Sequence, residues 1–345
     1  MTTTSDTTPP VNRSLRRIGL WGAPQSGKTT FLAALNVAVT QSTTDLVIFG
    51  IDDDATQFLA ENTSMLVRRR RFPEATQVSR PLAWALNMPT QRMVPGRFGR
   101  FSRQVSQPTT LQFNVDLIDA PGDFYAATPN AGGRAEVDAD DLFGAEAAMP
   151  EEPQEVIEHL ADCDGIVYLF DPIREFAEGD AYDYFQGTLL RVAQRRLGTQ
   201  SAGAKLPQHL AVCVTKLDSP AVYRRARRGG FLTFADDDPY LFPRVREDRA
   251  AEFFAEICQS ALGGTADLVP GAIKKFFAPD RVKYFATSAI GFHLRPGASR
   301  FIESDYQNAV EGADGTRIRG RIRPVNVVEP LVWLGERLAA TDRRA

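Results

Sequence analysis

Gly22-Ala23-Pro24-Gln25-Ser26-Gly27-Lys28-Thr29 decides how this chain is read. The apolar run Arg17-Ile18-Gly19-Leu20-Trp21 precedes it. Thr30-Phe31-Leu32-Ala33-Ala34-Leu35-Asn36-Val37-Ala38-Val39 follows it and reads as a helix. The pattern G-x-x-x-x-G-K-[ST] between a strand and a helix is the setting a phosphate-binding loop requires. Glycines let the backbone wrap so that its N–H groups point at phosphate oxygens. The helix N-terminus adds the positive end of a dipole. Lys28 then neutralises β- and γ-phosphates, and the Thr29 hydroxyl binds Mg²⁺. Gly22, Gln25, Ser26, Gly27 and Thr30 complete the expected nucleotide contacts of this loop.

Further motifs follow in order, each at the C-terminal end of an apolar strand, the edge where open α/β sheets bind ligands. Gln112–Ile118 runs into Asp119-Ala120-Pro121-Gly122. Asp119 is placed to hold Mg²⁺ through water, and the Gly122 N–H to meet the γ-phosphate. His209–Val214 runs into Thr215-Lys216-Leu217-Asp218, and Val282–Ala286 into Thr287-Ser288-Ala289. Singly, such short motifs usually mark turns; their ordering carries the weight.

The set resembles the signature motifs of the Ras-like and translation-factor class of GTPases. The resemblance implies that Asp218 accepts hydrogen bonds from guanine N1–H and its exocyclic amine, which adenine cannot supply. It implies that Lys216 lies along the base, that the Ala289 N–H meets the guanine carbonyl, and that Thr215 and Ser288 belong to the same base site. It also implies a second Mg²⁺ hydroxyl from a first switch, for which Thr76 in Arg71-Phe72-Pro73-Glu74-Ala75-Thr76 is best placed. Lys28, Thr76 and Gly122 are the expected catalytic set. One position departs from the pattern: Ras-like enzymes carry glutamine after Asp-x-x-Gly, and this chain has Asp123. That predicts slow intrinsic turnover and a partner acting in trans. Gln25 is a conceivable substitute; Asp123 itself also reads as a surface residue capping a turn.

Composition narrows the rest. The 345 residues suffice for a large core, and the net charge of −3 gives no global nucleic-acid or membrane signal. Cys163, Cys213 and Cys258 lie far apart, and His159, His209 and His293 show no metal-ligand spacing. No apolar run is long enough to span a membrane and no signal peptide is evident, so a cytoplasmic protein is expected. Residues 1–15 read as a disordered tail, and 16–345 as one GTPase domain with insertions at about 123–157, in the second switch, and 219–281.

The expected fold is an α/β three-layer sandwich of the P-loop NTPase kind. Its core sheet is mostly parallel and six-stranded, with one antiparallel strand and helical insertions. Strands are expected at Arg17–Trp21, Pro81–Met88, Thr109–Ile118, Ile166–Asp171, 209–214 and 282–286, with a strand-like run at Asp45–Ile51. Helices are expected at Asp53–Arg71, Tyr182–Arg196, Arg249–Leu262, Gly271–Phe277 and Val328–Leu338. Charge is segregated: nine arginines and one acid from Arg68 to Arg103, then twelve acids and no Lys or Arg between Arg134 and Arg174. These read as two solvated faces, as stretches that pair across the switches in one nucleotide state, or as a docking patch for an acidic protein, anionic lipid or RNA.

The Gly-x-x-x-Ser-Gly-Lys-Thr-Thr-Phe-Leu-Ala-Ala-Leu start, the Arg-Phe-Pro-x-x-Thr segment and the Pro-Val-Asn-Val-Val-Glu-Pro-Leu-Val-Trp-Leu terminus resemble the double-GTPase-like domains of bacterial conflict and signalling loci. That resemblance implies a Mg²⁺- and GTP/GDP-binding switch working with protein partners from neighbouring genes; nucleic acid is not an expected partner. A GTP- or GDP-loaded scaffold without turnover and an ATP-using P-loop enzyme are the rival readings.

Overall fold

The computed structural model describes residues 16–23, 25–42, 45–73, 81–96, 103–118, 151–198, 203–235, 238–260, 264–312 and 315–341. Its strands are β1 (Arg16–Trp21), β2 (Val47–Gly50), β3 (Pro81–Gly96), β4 (Arg103–Ile118), β5 (Gly165–Phe170), β6 (His209–Val214), β7 (Leu232–Phe234), β8 (Pro243–Val245), β9 (Val282–Ala286), β10 (Ala309–Gly312) and β11 (Gly315–Ile318). Seven of them form one sheet in the order β2-β3-β4-β1-β5-β6-β9, while β7 pairs with β8 and β10 with β11. Only β3 runs against its sheet neighbours. The helices are α1 (Lys28–Gln41), α2 (Asp53–Ser64), α3 (Glu151–Asp162), α4 (Pro172–Glu178), α5 (Ala181–Leu197), α6 (Pro220–Arg228), α7 (Ala250–Gln259), α8 (Val269–Phe276) and α9 (Glu329–Thr341).

Strand alternation sorts the core into two layers. Ile18 and Leu20 of β1, Val167 and Leu169 of β5, and Ala211 and Cys213 of β6 pack with α1, α2 and α9. Ile166, Tyr168 and Phe170, with Leu210, Val212 and Val214, face α3, α5, α7 and α8. Every residue of β5 and β6 is buried, as strands covered on both faces must be. The result is a three-layer α/β sandwich around a mostly parallel sheet, as the sequence leads one to expect. Among the described residues no helix is long and apolar enough to cross a membrane.

The sheet has seven strands, where six are expected. The addition is β2, the narrowed remnant of the Asp45–Ile51 run, which joins the edge through β3. There Ile48 turns inward, while Val47 and Phe49 are exposed. The β3–β4 hairpin is also longer than its sequence suggests. Its strands have 16 residues each and pair from Pro81 opposite Ile118 out to Gly96 opposite Arg103. Beyond Met88 and Leu111 it is a two-stranded ribbon past the sheet, because β2 pairs only up to Asn87 and β1 only with Phe113–Asp116. Polar residues and prolines at 89–95 and 104–108 hide this extension from a reading that looks for apolar alternation.

Differences elsewhere have local causes. The expected Asp53–Arg71 helix is α2 followed by a π-helical turn, Met65–Arg69, and stops where Arg70 enters the left-handed region at φ 54°. In the 219–281 insertion the structure adds α6 and β7–β8 to the expected helices. The second-switch insert enters the described residues at α3.

On the α3 side, the partly exposed Arg17 donates its Nε to the buried Asp116 Oδ2 at 2.7 Å and its Nη2 to His159 Nδ1 at 2.9 Å. Cys163 completes the cluster. Gly19 leaves the room for it: a Cβ there would stand 2.9 Å from Leu160 and 3.0 Å from the Cys163 sulfur. Three acids of the 151–171 stretch pair away from the first-switch arginines: Asp164 with Arg16, Glu158 with Arg195 and Asp171 with Lys216. Arg70 donates to the Arg319 carbonyl.

His209 opens β6 edge-on to Trp333 of α9, with ring centres 5.9 Å apart. Burial, with Arg281 and Arg337 nearby, pushes its pKa down to about 4. An unfolded histidine titrates near about 6.5. Between these values the unfolded chain binds a proton that the folded chain excludes. His209 therefore costs no stability above about pH 6.5 and destabilises the fold progressively as pH falls toward 4. The melting temperature of His209→Gln should fall less than that of wild type across this window; parallel curves would remove His209 from the acid response.

Candidate functional site

Parallel strands β1, β5, β6 and β9 end at one edge of the sheet, and a cleft of about 720 Å³ opens there. The loop from Gln25 to Lys28 and the first turn of α1 line one end. Thr215, Lys216, Asp218, Thr287 and Ala289 line the other.

The first end is built by two glycines with different duties. At Gly22 space decides: a Cβ would lie 2.6 Å from both the Leu169 carbonyl and the Ser26 hydroxyl. At Gly27, which caps α1, backbone conformation decides: φ is 92° with open space around it. Ser26 N–H closes the turn on the Ala23 carbonyl at 3.1 Å. Lys28 is buried, and its Nζ donates to the carbonyls of Gly22 at 3.1 Å and Ala23 at 3.4 Å. The ammonium is thus folded over the loop that would surround a phosphate. Thr29 and Thr30 line the cleft beside it.

The second end is a lattice of loop bonds. Thr215 N–H and its hydroxyl both donate to the Phe170 carbonyl, at 2.9 and 3.0 Å. Leu217 N–H reaches the Thr287 carbonyl at 3.0 Å, tying the Thr215–Asp218 and Thr287–Ala289 loops together. Ser288 donates its hydroxyl to Asp218 Oδ1 at 2.5 Å and accepts from Gly291 N–H at 2.8 Å. Ser288 therefore holds the carboxylate and its own loop, while Ala289 lines the cleft. Burial pushes the Asp218 carboxyl above its ordinary pKa, and the Ser288 bond pulls the other way. Lys216, left-handed at φ 58°, stretches its Nζ to Asp171 Oδ2 at 2.5 Å.

Asp171 escaped the sequence reading as a functional residue, yet it follows the last residue of β5, the position the other motifs share. It is buried, caps α4 through Ile173 N–H at 2.9 Å and fixes Lys216. Phe72 and Pro73, from the segment expected to be the first switch, line the same cleft, as do residues of the β10–β11 hairpin, which the sequence reading missed.

The loop residues Gly22, Gln25, Ser26, Gly27, Lys28, Thr29 and Thr30 and the residues Thr215, Lys216, Asp218, Ser288 and Ala289 gather around this one cleft or support its walls. Thr76, Asp119, Gly122 and Asp123 lie outside the described residues. Of the expected Mg²⁺ ligands, Thr29 is the described one; it follows Lys28 in the first turn of α1 and lines the cleft.

No protein-family model matches the chain, and no curated protein matches it in sequence. Solved structures similar to it include the signal recognition particle receptor SRb-GTP/SRX complex from Chaetomium thermophilum, at 12% identity over 84% of this chain and 96% of that one, TM-score 0.35. Sup35 complexed with GDP matches at 11% identity over 82% of this chain and 40% of its own, TM-score 0.29. The bacterial selenocysteine-specific elongation factor EF-Sec matches at 15% over 64% of this chain and 23% of its own, TM-score 0.23. The chain thus spans less than half the length of the latter two.

Gln25 is a non-glycine residue in the left-handed region, at φ 60°. That conformation costs on the order of 1–2 kcal/mol, part of which glycine would return as unfolded-chain entropy. Gln25→Gly should therefore raise stability by up to about 1 kcal/mol in a denaturant titration. If the side chain serves the nucleotide, affinity or turnover should fall in the same variant. A less stable variant would show that the loop is not strained at Gln25.

Proposed function

We propose that this chain is a Mg²⁺-dependent GTP-binding switch with slow GTP hydrolysis, turned over or read out by a protein partner. One observation carries the base assignment: the buried Asp218 carboxylate sits at the opposite end of the cleft from Lys28. A desolvated carboxylate needs donors, and guanine presents two on one edge where adenine presents none in the same pattern. A site built to bond such a group rejects the analogue lacking it by about 10⁴–10⁵-fold. Lys216, held by Asp171, supplies a flat alkyl stem for the base face.

In this reading Lys28 and the N–H groups of Gly27 to Thr30 take the phosphates. Thr29, Thr76 and Asp119 would hold the Mg²⁺, which would offset the charge of the phosphates. Gly122 offers its N–H to the γ-phosphate. Asp123 in the water-orienting position favours slow intrinsic turnover; the same residue supports a second reading, a loaded scaffold that does not hydrolyse at all. Phosphate release in a single turnover, with and without cell lysate, separates the two.

Lys28→Ala should abolish GTP and GDP binding and leave the circular dichroism spectrum unchanged, because the ammonium bonds loop carbonyls, those of Gly22 and Ala23, in this structure and would serve phosphate in the loaded protein. Wild-type affinity in that variant would rule out the phosphate assignment.

Asp218→Asn should weaken GTP binding and shift preference toward xanthine nucleotides, since an amide N–H then faces a carbonyl. In wild type, GTP affinity should also fall as the medium is acidified toward the raised Asp218 pKa, because guanine binds the ionised form. Unchanged guanine preference in competition would take Asp218 out of the base site.

A further inference from the structure

A third wall stands between the two ends of the cleft. β10 and β11 pair from Ala309 opposite Ile318 to Gly312 opposite Gly315. Gln307, Ala309, Val310, Glu311 and Thr316 of this region line the cleft. Its base is anchored on two sides. Toward the phosphate end, Ile318 is buried with Ala33 and Val37 of α1 and with Leu66. Its N–H donates to the Arg70 carbonyl at 2.9 Å. Toward the base end, Asn308 donates to the Ile290 carbonyl at 3.0 Å and accepts from Gly320 N–H at 2.8 Å. Ile290 follows Ala289 directly. The hairpin is therefore fixed to the helix that begins at the phosphate loop and to the loop that frames the base.

In a nucleotide only the sugar joins base to phosphates, so a wall tied to both ends faces the sugar. Among the residues it presents, Glu311 has matching chemistry. A carboxylate only accepts, and a ribose offers two adjacent O–H donors. Acids serve ribose hydroxyls in this way in dinucleotide sites. The cross-strand neighbour Thr316 donates its hydroxyl to Glu311 Oε1 at 2.9 Å, which fixes the rotamer of the carboxylate. Beside phosphates this charge would repel; beside a neutral sugar it finds donors.

We infer that the β10–β11 hairpin is the sugar wall of the cleft, and that Glu311 accepts from the ribose hydroxyls and selects ribonucleotides over deoxynucleotides. The inference rests on the guanine-nucleotide reading of the cleft. Thr316 acts through Glu311 as a positioning residue.

The test measures affinities of the full chain for GDP and 2′,3′-dideoxy-GDP, in wild type, Glu311→Gln, Glu311→Ala and Thr316→Val. Glu311 is exposed, so these changes leave the core intact, and melting curves check that. Wild type should prefer GDP by roughly tenfold, the size expected for hydrogen bonds to a charged group at a partly open site. The preference should shrink toward unity in Glu311→Ala, be reduced in Glu311→Gln and be intermediate in Thr316→Val. Affinity for the dideoxy compound should stay level throughout. An equal preference in wild type and Glu311→Ala overturns the sugar wall while leaving the guanine reading intact. Failure of wild type to bind either compound overturns both.

Discussion

Gly22 is pressed against the Leu169 carbonyl so closely that no side chain fits between them, and the geometry of the cleft is measured out from that contact. It fixes the phosphate loop to the end of β5. The next residue of β5, Phe170, receives both bonds from Thr215, which sets the end of β6. Thr287 N–H then bonds to the Val214 carbonyl at 2.8 Å, which sets the end of β9. Adjacent strands lie about 4.8 Å apart, so two strand spacings, roughly 10 Å, separate the phosphate loop from the Lys216 loop. In the proposed reading, the span between a base and its phosphates is thus set by sheet geometry rather than by flexible loops.

Two buried carboxylates in this frame are satisfied differently. Asp116 has a permanent cation, Arg17, and belongs to the interior on the α3 side. Asp218 has a hydroxyl from Ser288, while the nearest ammonium, on Lys216, is engaged by Asp171. A carboxylate left with a neutral partner in a desolvated pocket is a group whose energy drops when external donors arrive. In the proposed reading, that asymmetry separates Asp218 as a binding group from the structural Asp116 more sharply than burial, which the two share.

What the sequence made legible was short in range. The phosphate loop, Thr215–Asp218 and Thr287–Ala289 each announce themselves within a few residues, as a polar motif closing an apolar strand. The parallel strands were legible for the same reason, since a run buried on both faces is apolar throughout. Three kinds of feature were not. Asp171 looks like one more acid until the fold brings Lys216, 45 residues later, onto it. The Asp116–His159–Cys163 cluster joins a strand to a helix end with no spacing to advertise it. The β10–β11 hairpin is four residues a side and polar on its exposed strand, so neither period nor composition marks it.

The β3–β4 ribbon has a consequence for how tightly different parts of one strand are held. Along β4, Phe113, Val115 and Leu117 are locked into the core, while the strand beyond Leu111 pairs only with β3. A lone two-stranded ribbon is marginal in water, so its outer amides open by local fraying rather than by global unfolding. Amide hydrogen exchange should therefore change by orders of magnitude within a few residues of Met88 and Leu111. One continuous strand would then carry two clocks, a slow one set by the whole molecule and a fast one set by the arm alone.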